Sequence, residues 1–171
     1  MRHVIINDHP MGLTDGKYFY SRTASQVYLL RTYKGRTQVL LQLRSGKIGN
    51  GSWDCSSAGH CDELESFTTA AKRECREEIG IQFDDKDILF TTIIHVGNYN
   101  NEDKSCPQFV NAHFFVKKFK GTPKVCECDK VKCIEWFDIN DLPEKMFADR
   151  REAISNFIKK ITYSEIMWKK D

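Results

Sequence analysis

Apolar and polar residues along the chain recur with two different periods. Runs of β-branched and apolar residues, bounded by turn-forming residues, predict strands at about 25–32, 37–44, 88–96, 108–119 and 131–137. Two segments carry the helical period instead. At 66–79, Phe67, Ala71, Cys75 and Ile79 recur every four residues, and Gly80 supplies a C-terminal stop. At 148–161, Ala153, Ile154, Phe157, Ile158 and Ile161 share one side, and Asp149 sits in the first turn, where the helix dipole favours an acid. A shorter helical turn is expected around Asp141 and Leu142. The helices are too few to follow every strand, which excludes a doubly wound parallel sheet. The pattern predicts an α+β fold, a mixed β-sheet with helices on its faces.

The chain has 171 residues, no repeat and no linker, and its four prolines punctuate loops, so residues 1–171 are expected to form a single domain. A hydrophobic fraction of 40% is enough to bury a core. Twenty-six basic residues against 24 acidic ones leave a net charge of +2, which gives no reason to expect a nucleic acid polymer or an anionic membrane as partner. No apolar run approaches the ~20 residues that span a bilayer, and the first residues lack a signal-peptide core, so the expected location is cytoplasmic. Seven cysteines fit reduced thiols in a reducing compartment. Cys126, Cys128 and Cys133 form C-x-C-x4-C, which matches no strong zinc pattern, and free thiols are the preferred reading.

Charge within the first helix points to chemistry. At about 100° per residue, Glu77 and Glu78 flank Glu74, so three carboxylates share an arc of about 100° one turn deep. Like charges at this spacing cost stability, and Arg73 can pair with Glu77 without neutralising all three. A solvated helix face is the bland alternative. A cluster of carboxylate oxygens suits a hard cation such as Mg²⁺ or Mn²⁺, which keeps waters and completes its shell with phosphate.

The spacing around those charges resembles the box of the Nudix hydrolase (MutT-like) family, G-x5-E-x7-R-E-U-x-E-E-x-G-U with U a bulky apolar residue. Gly59, Glu65, Arg73, Glu74, Cys75, Glu77, Glu78, Gly80 and Ile81 fill its places in order, Cys75 as a small apolar substitute. The resemblance implies an α/β/α sandwich with a loop-helix-loop motif. In it Glu74, Glu77, Glu78 and the Gly59 carbonyl hold Mg²⁺ or Mn²⁺, Arg73 orients a glutamate, and Glu65 supports the loop or the water. It implies hydrolysis of a diphosphate linkage in a nucleoside diphosphate derivative or similar small molecule. Glu77 and Glu78 are the first candidates for general base, with Glu102 and Asp103 as loop alternatives. The family also contains homodimers, and the oligomeric state stays open.

The approach to the box, Gly51-Ser52-Trp53-Asp54-Cys55-Ser56-Ser57-Ala58-Gly59-His60, resembles a Nudix subgroup allied to isopentenyl diphosphate isomerase. That isomerase is the alternative enzyme, but Ala58 stands where its catalytic cysteine would fall. A noncatalytic nucleotide-binding domain is the third reading; the intact glutamates favour hydrolysis. Substrate specificity is expected outside the box, from the loop 97–103 with Tyr99, from Gln108 and Phe109, and from Arg44 and His60. Tyr99 has a spacing similar to that in dinucleoside polyphosphate hydrolases, and 40–45 resembles part of a coenzyme A diphosphatase signature; neither fixes the substrate. His113, in an apolar strand, is expected to be a core residue.

Overall fold

The computed structural model describes residues 21–47, 49–97 and 108–167. Strands β1 (Arg22–Tyr33), β2 (Arg36–Arg44), β3 (Trp53–Asp54) and β4 (Ser57–His60) precede helix α1 (Phe67–Ile79); β5 (Ile88–Gly97), β6 (Gln108–Val116) and β7 (Val131–Asp138) precede α2 (Ala148–Lys159), and β8 (Tyr163–Ile166) follows it. The strands join in one mixed sheet of order β3-β2-β1-β6-β5-β8, with β4 paired to β1 and β7 to β2. The β1–β6 and β5–β8 pairs are parallel and the others antiparallel.

β1 holds the two parts of the sheet together. Its residues Arg22–Leu29 run beside β6, while Leu30–Tyr33 pair with β2. Both of its faces are covered, so it reads as a nearly continuous buried run. Val27 and Leu29 face Ala71, Cys75 and Ile79 of α1; the alternate residues Tyr28 and Leu30 face Ala153 and Ile154 of α2. The α/β/α layering follows from that alternation.

Most predicted elements are present, with four differences. β4 and β8, only four residues each, lack the length that makes a period visible. β6 stops at Val116 rather than 119, because Lys117 and Lys118 end the apolar run. The segment at Asp141 and Leu142 is not helical: it follows a turn at Ile139 and Asn140 closed by Asp141 N–H to Asp138 O at 3.0 Å, and Pro143 disfavours helix in the residue before it. α2 ends at Lys159, so Ile161 lies beyond it; Ile158 and Ile161 are exposed, whereas Asn156 is buried and donates to Thr92 and Ser164.

α1 begins and ends where its sequence signals it. The Ser66 hydroxyl accepts from Thr69 N–H, and Gly80 adopts the left-handed conformation (φ 69°) that closes the last turn through Cys75 O. No helix among the described residues is long and apolar enough to cross a membrane.

Phe115, on β6, stacks on Tyr28 (4.7 Å between centroids) and on Phe157 of α2 (4.1 Å), joining sheet and helix in the second core. Phe115→Ala should therefore cost about 3–5 kcal/mol of stability, measured by urea unfolding, because the two rings left on either side cannot close the void.

Candidate active site

The loop before α1 and the helix itself meet at a position only glycine can occupy. β4 lies beside β1 with Gly59 opposite Ser25, and α1 crosses over it. A Cβ on Gly59 would fall 1.8 Å from Glu74 Oε1. The glycine therefore lets the Glu74 carboxylate rest on the β4 backbone.

Arg73 organises the acids around this contact. Its Nε and Nη2 donate to the two oxygens of Glu65 at 3.0 and 2.9 Å, a bidentate pair that fixes both planes. Its Nη1 donates to Glu74 Oε1 at 2.6 Å and to Glu77 Oε2 at 3.3 Å, and Nη2 also reaches His60 O at 3.0 Å. Glu65 in turn accepts from Asp62 N–H at 3.0 Å, which ties the loop to the same guanidinium. The pairing of Arg73 with Glu77 agrees with its helical spacing; the reach to Glu65 and His60 depends on how the loop folds back. Hydrogen bonds from Arg73 hold the Glu65 carboxyl below its usual range, and the carboxylates raise Arg73.

Glu78 lies outside this network. It is 6% exposed, and its Oε2 accepts Ala58 N–H at 2.9 Å. Burial pushes its carboxyl up to about 7, against the opposing pull of the Ala58 N–H bond; Glu74 and Glu127 push it further. Glu74 is also raised, chiefly by burial, with Glu77 and Glu127 adding to it and Arg73 opposing.

Glu127 was not singled out from sequence. Its segment is tied to the end of α1 by Cys126 N–H to Glu78 O at 2.9 Å and Lys124 N–H to Ile79 O at 3.1 Å. Lys130 holds Glu127 Oε1 at 2.8 Å, while Oε2 is shielded from solvent without a hydrogen-bond partner among the described residues. Nothing in the pattern of 121–131 separates this acid from Asp129; only the return of the chain past α1 selects it.

These donors are oxygens alone, and their charge exceeds what Arg73 and Lys130 balance, so they fit a hard divalent cation. Among the described residues no three acidic, imidazole or thiol groups already converge as a closed metal cage. The reason is local: Arg73 draws Glu74 and Glu77 toward itself. A cation that keeps several waters does not need such a cage.

The residues expected to touch substrate are divided. His60, at the exposed end of β4, stacks on Phe109 of β6 at 6.2 Å, and burial together with the charges of Arg22 and Arg150 holds its imidazole below the usual histidine range. Arg44 ends β2 half-buried, its Nε shielded without a partner among the described residues. Tyr99, Glu102 and Asp103 lie outside the described residues. His113 is fully buried as expected, with Nδ1 at 3.1 Å from the Tyr28 hydroxyl. Arg150 donates to Asp54 Oδ1 at 2.8 Å and pairs with Asp149, which also accepts from Asn111 at 3.0 Å; the sequence reading missed this buried network.

The cysteine geometry bears on the isomerase alternative. Ala58 contributes a backbone N–H to Glu78 and no thiol. Cys55 is buried, donates its thiol toward Gln26 Oε1 and Ser57 O, and is pushed up by burial, which disfavours a thiolate.

Residues 22–157 match the NUDIX domain family model. The chain is 29% identical over 128 residues to the oxidized purine nucleoside triphosphate hydrolase of Mus musculus, covering 74% of this chain and 73% of that one. The fold superposes with a TM-score of 0.68 on the MutT NUDIX hydrolase from Burkholderia pseudomallei, at 25% identity, covering 80% of this chain and 98% of the other. It superposes at 0.66 on the NUDIX domain of Shewanella oneidensis NrtR complexed with ADP ribose, at 16% identity, covering 88% and 94%. A box filled at every position, its loop closed over Glu74 and its match across most of the sheet place this chain in the Nudix family.

Proposed function

We propose that the protein is a Mg²⁺- or Mn²⁺-dependent hydrolase that cleaves the diphosphate linkage of a nucleoside di- or triphosphate derivative. The observation that carries this reading is Glu78, a buried carboxylate beside Glu74 and Glu127 that no cation among the described residues contacts directly. Burying a carboxylate is expensive unless a counter-charge arrives, and here it lies against the backbone of the loop that ends at Gly59.

In this reading Glu74, Glu77, Glu78 and the Gly59 carbonyl hold the metal, with Glu127 close enough to add to the field. The bound metal supplies charge neutralisation on the phosphate oxygens and makes water a better nucleophile. Arg73 keeps Glu65, Glu74 and Glu77 in place, so the carboxylates need little rearrangement when substrate enters. Glu77, half exposed, and Glu78, with its raised pKa, remain the candidates to accept the proton of the attacking water. His60 and Phe109 offer a stacked pair beside Gly59 for a planar leaving group, and Arg44 a cation for phosphate. The mouse relative acts on oxidized purine nucleoside triphosphates, and one structural relative binds ADP ribose; these names support the nucleotide class. Free thiols, six of them among the described residues, suit a cytoplasmic setting.

Two outcomes test this reading. Glu77→Gln and Glu78→Gln should each lower hydrolysis by about a hundredfold in a Mg²⁺-supplemented screen of nucleoside diphosphate derivatives, read as released phosphate or monophosphate. Full activity in both variants would remove the helix from the catalytic site.

The second outcome concerns stability and pH. A carboxyl raised by folding contributes stability that is complete in acid and lost as pH rises through its folded pKa, about 7 for Glu78. In metal-free buffer Glu78→Gln should therefore melt higher than wild type at about pH 8, and the gap should close by about pH 5. Saturating Mg²⁺ should reverse the order at pH 8, because metal stabilises the protein that binds it better. Thermal melts of both proteins across this range, with and without metal, measure it.

A further inference from the structure

The sheet opens into a fork beside the glutamate helix. β2 is paired with β1 only as far as Val39, opposite Leu30. Beyond that point β4 takes the place beside β1, with Ser57–His60 against Ala24–Val27, while β2 runs on toward Arg44 between β3 and β7. Ser56 closes the root of the fork: its hydroxyl donates to Leu40 O at 2.6 Å and accepts Leu29 N–H at 2.8 Å. Ser57 follows on one arm, and Gln42, two residues past Leu40, on the other.

Gln42 is fully buried, and neither its amide nitrogen nor its amide oxygen has a hydrogen-bond partner among the described residues. Alternation along β2 puts it on the face of Leu40, which packs with Cys75 and Ile79 of α1; Ile134, opposite Gln42 on β7, packs against the same core. The glutamates close around that face. Glu78 is fastened to the Ser57 arm through Ala58 N–H at 2.9 Å. The turn that carries Glu127 bonds to Glu78 O through Cys126 N–H, and to β2 through Lys130 O, which accepts Ser45 N–H at 2.9 Å. Gln42 thus stands between the arm that holds Glu78 and the turn that holds Glu127.

The two unmet groups of Gln42 say what it binds. A carboxamide offers donors on nitrogen and an acceptor on oxygen, and each costs stability when buried without a bond. A phosphate oxygen would satisfy the nitrogen alone, and a cation the oxygen alone. Water donates and accepts, so one molecule satisfies both. We propose that Gln42 positions the attacking water, holding it between its carboxamide and Glu78, a role that rests on the hydrolysis proposed above. The water oxygen forms the new bond to phosphorus, and its proton passes to Glu78. The bond from phosphorus to the bridging oxygen breaks, and the leaving phosphate keeps the electron pair. Gln42 is uncharged and takes no proton, so it acts by orientation and sets kcat rather than KM. Arg44, the next residue on the same face of β2, is left for the phosphate.

Gln42→Met tests it, because methionine keeps the length of the side chain and removes both polar groups. In Mg²⁺, on the best substrate of the nucleotide screen, kcat should fall by about 10–100-fold with KM within about twofold of wild type. In metal-free buffer the variant should melt at or above the wild-type temperature, since the buried amide it loses has no partner in the protein. Glu78→Gln is measured beside it. Full activity in Glu78→Gln would end the hydrolytic reading of the helix and the role of Gln42 with it. An impaired Glu78→Gln beside a Gln42→Met of wild-type kcat would leave the hydrolysis standing and overturn the role of Gln42 alone. A raised KM at unchanged kcat would make Gln42 a substrate-binding group, and a melting temperature lower by more than about 4 °C a structural one; either result overturns the proposal.

Discussion

The Arg73 guanidinium is the interaction on which the rest of the site depends. Four carboxylates, those of Glu65, Glu74, Glu77 and Glu78, lie within one helix and its approach loop, and without a cation among them they would repel. Arg73 binds Glu65 through both oxygens and reaches Glu74, Glu77 and the His60 carbonyl with the remaining donors. A lysine could not do this, because its ammonium lacks the planar fork that grips a carboxylate in a fixed orientation. The same bonds dock the loop on the helix, so folding of the motif and placement of its charges are one event.

Because Arg73 saturates one side of the cluster, the other side keeps an electrostatic deficit. Glu78 receives a backbone N–H and no ion pair among the described residues, and Glu127 approaches from the turn before β7. The opposing influences on Glu78 differ in size: desolvation exceeds the pull of the Ala58 N–H, which raises its carboxyl to about 7.

On the opposite face of the sheet a second charged group solves a different problem. Asp54 and Asp149 are buried beside the mostly buried Arg150, and each aspartate bonds its guanidinium. Desolvating such a trio is costly, so it adds little net stability, although breaking it would leave a charge uncompensated. Its structural effect is to fix the start of α2 against β3, and Asp54 also accepts Cys55 N–H at 2.8 Å. The segment that presents Ala58 and Gly59 to α1 is thereby held from both faces.

The glutamate helix, its stop at Gly80, the long strands and the family were legible in the sequence, because each depends on spacing within one short segment: helical period, cap chemistry or a fixed motif. Gly59 could be placed in the motif, but its reason appears only when the Glu74 carboxylate is seen to occupy the space of a side chain. Glu127, the Arg150 trio, the short strands β4 and β8 and the exposure of Ile158 were not legible. Each of these is set by which distant segments become neighbours, and Glu78 shows the difference most clearly. Its position on the helix follows from the sequence, whereas its burial under β4 and its raised pKa follow from the chain folding back to bring Ala58 N–H, 20 positions earlier, within 2.9 Å. Local spacing determines which charges can act together; only tertiary contact decides how much water each one keeps, and hence its chemistry.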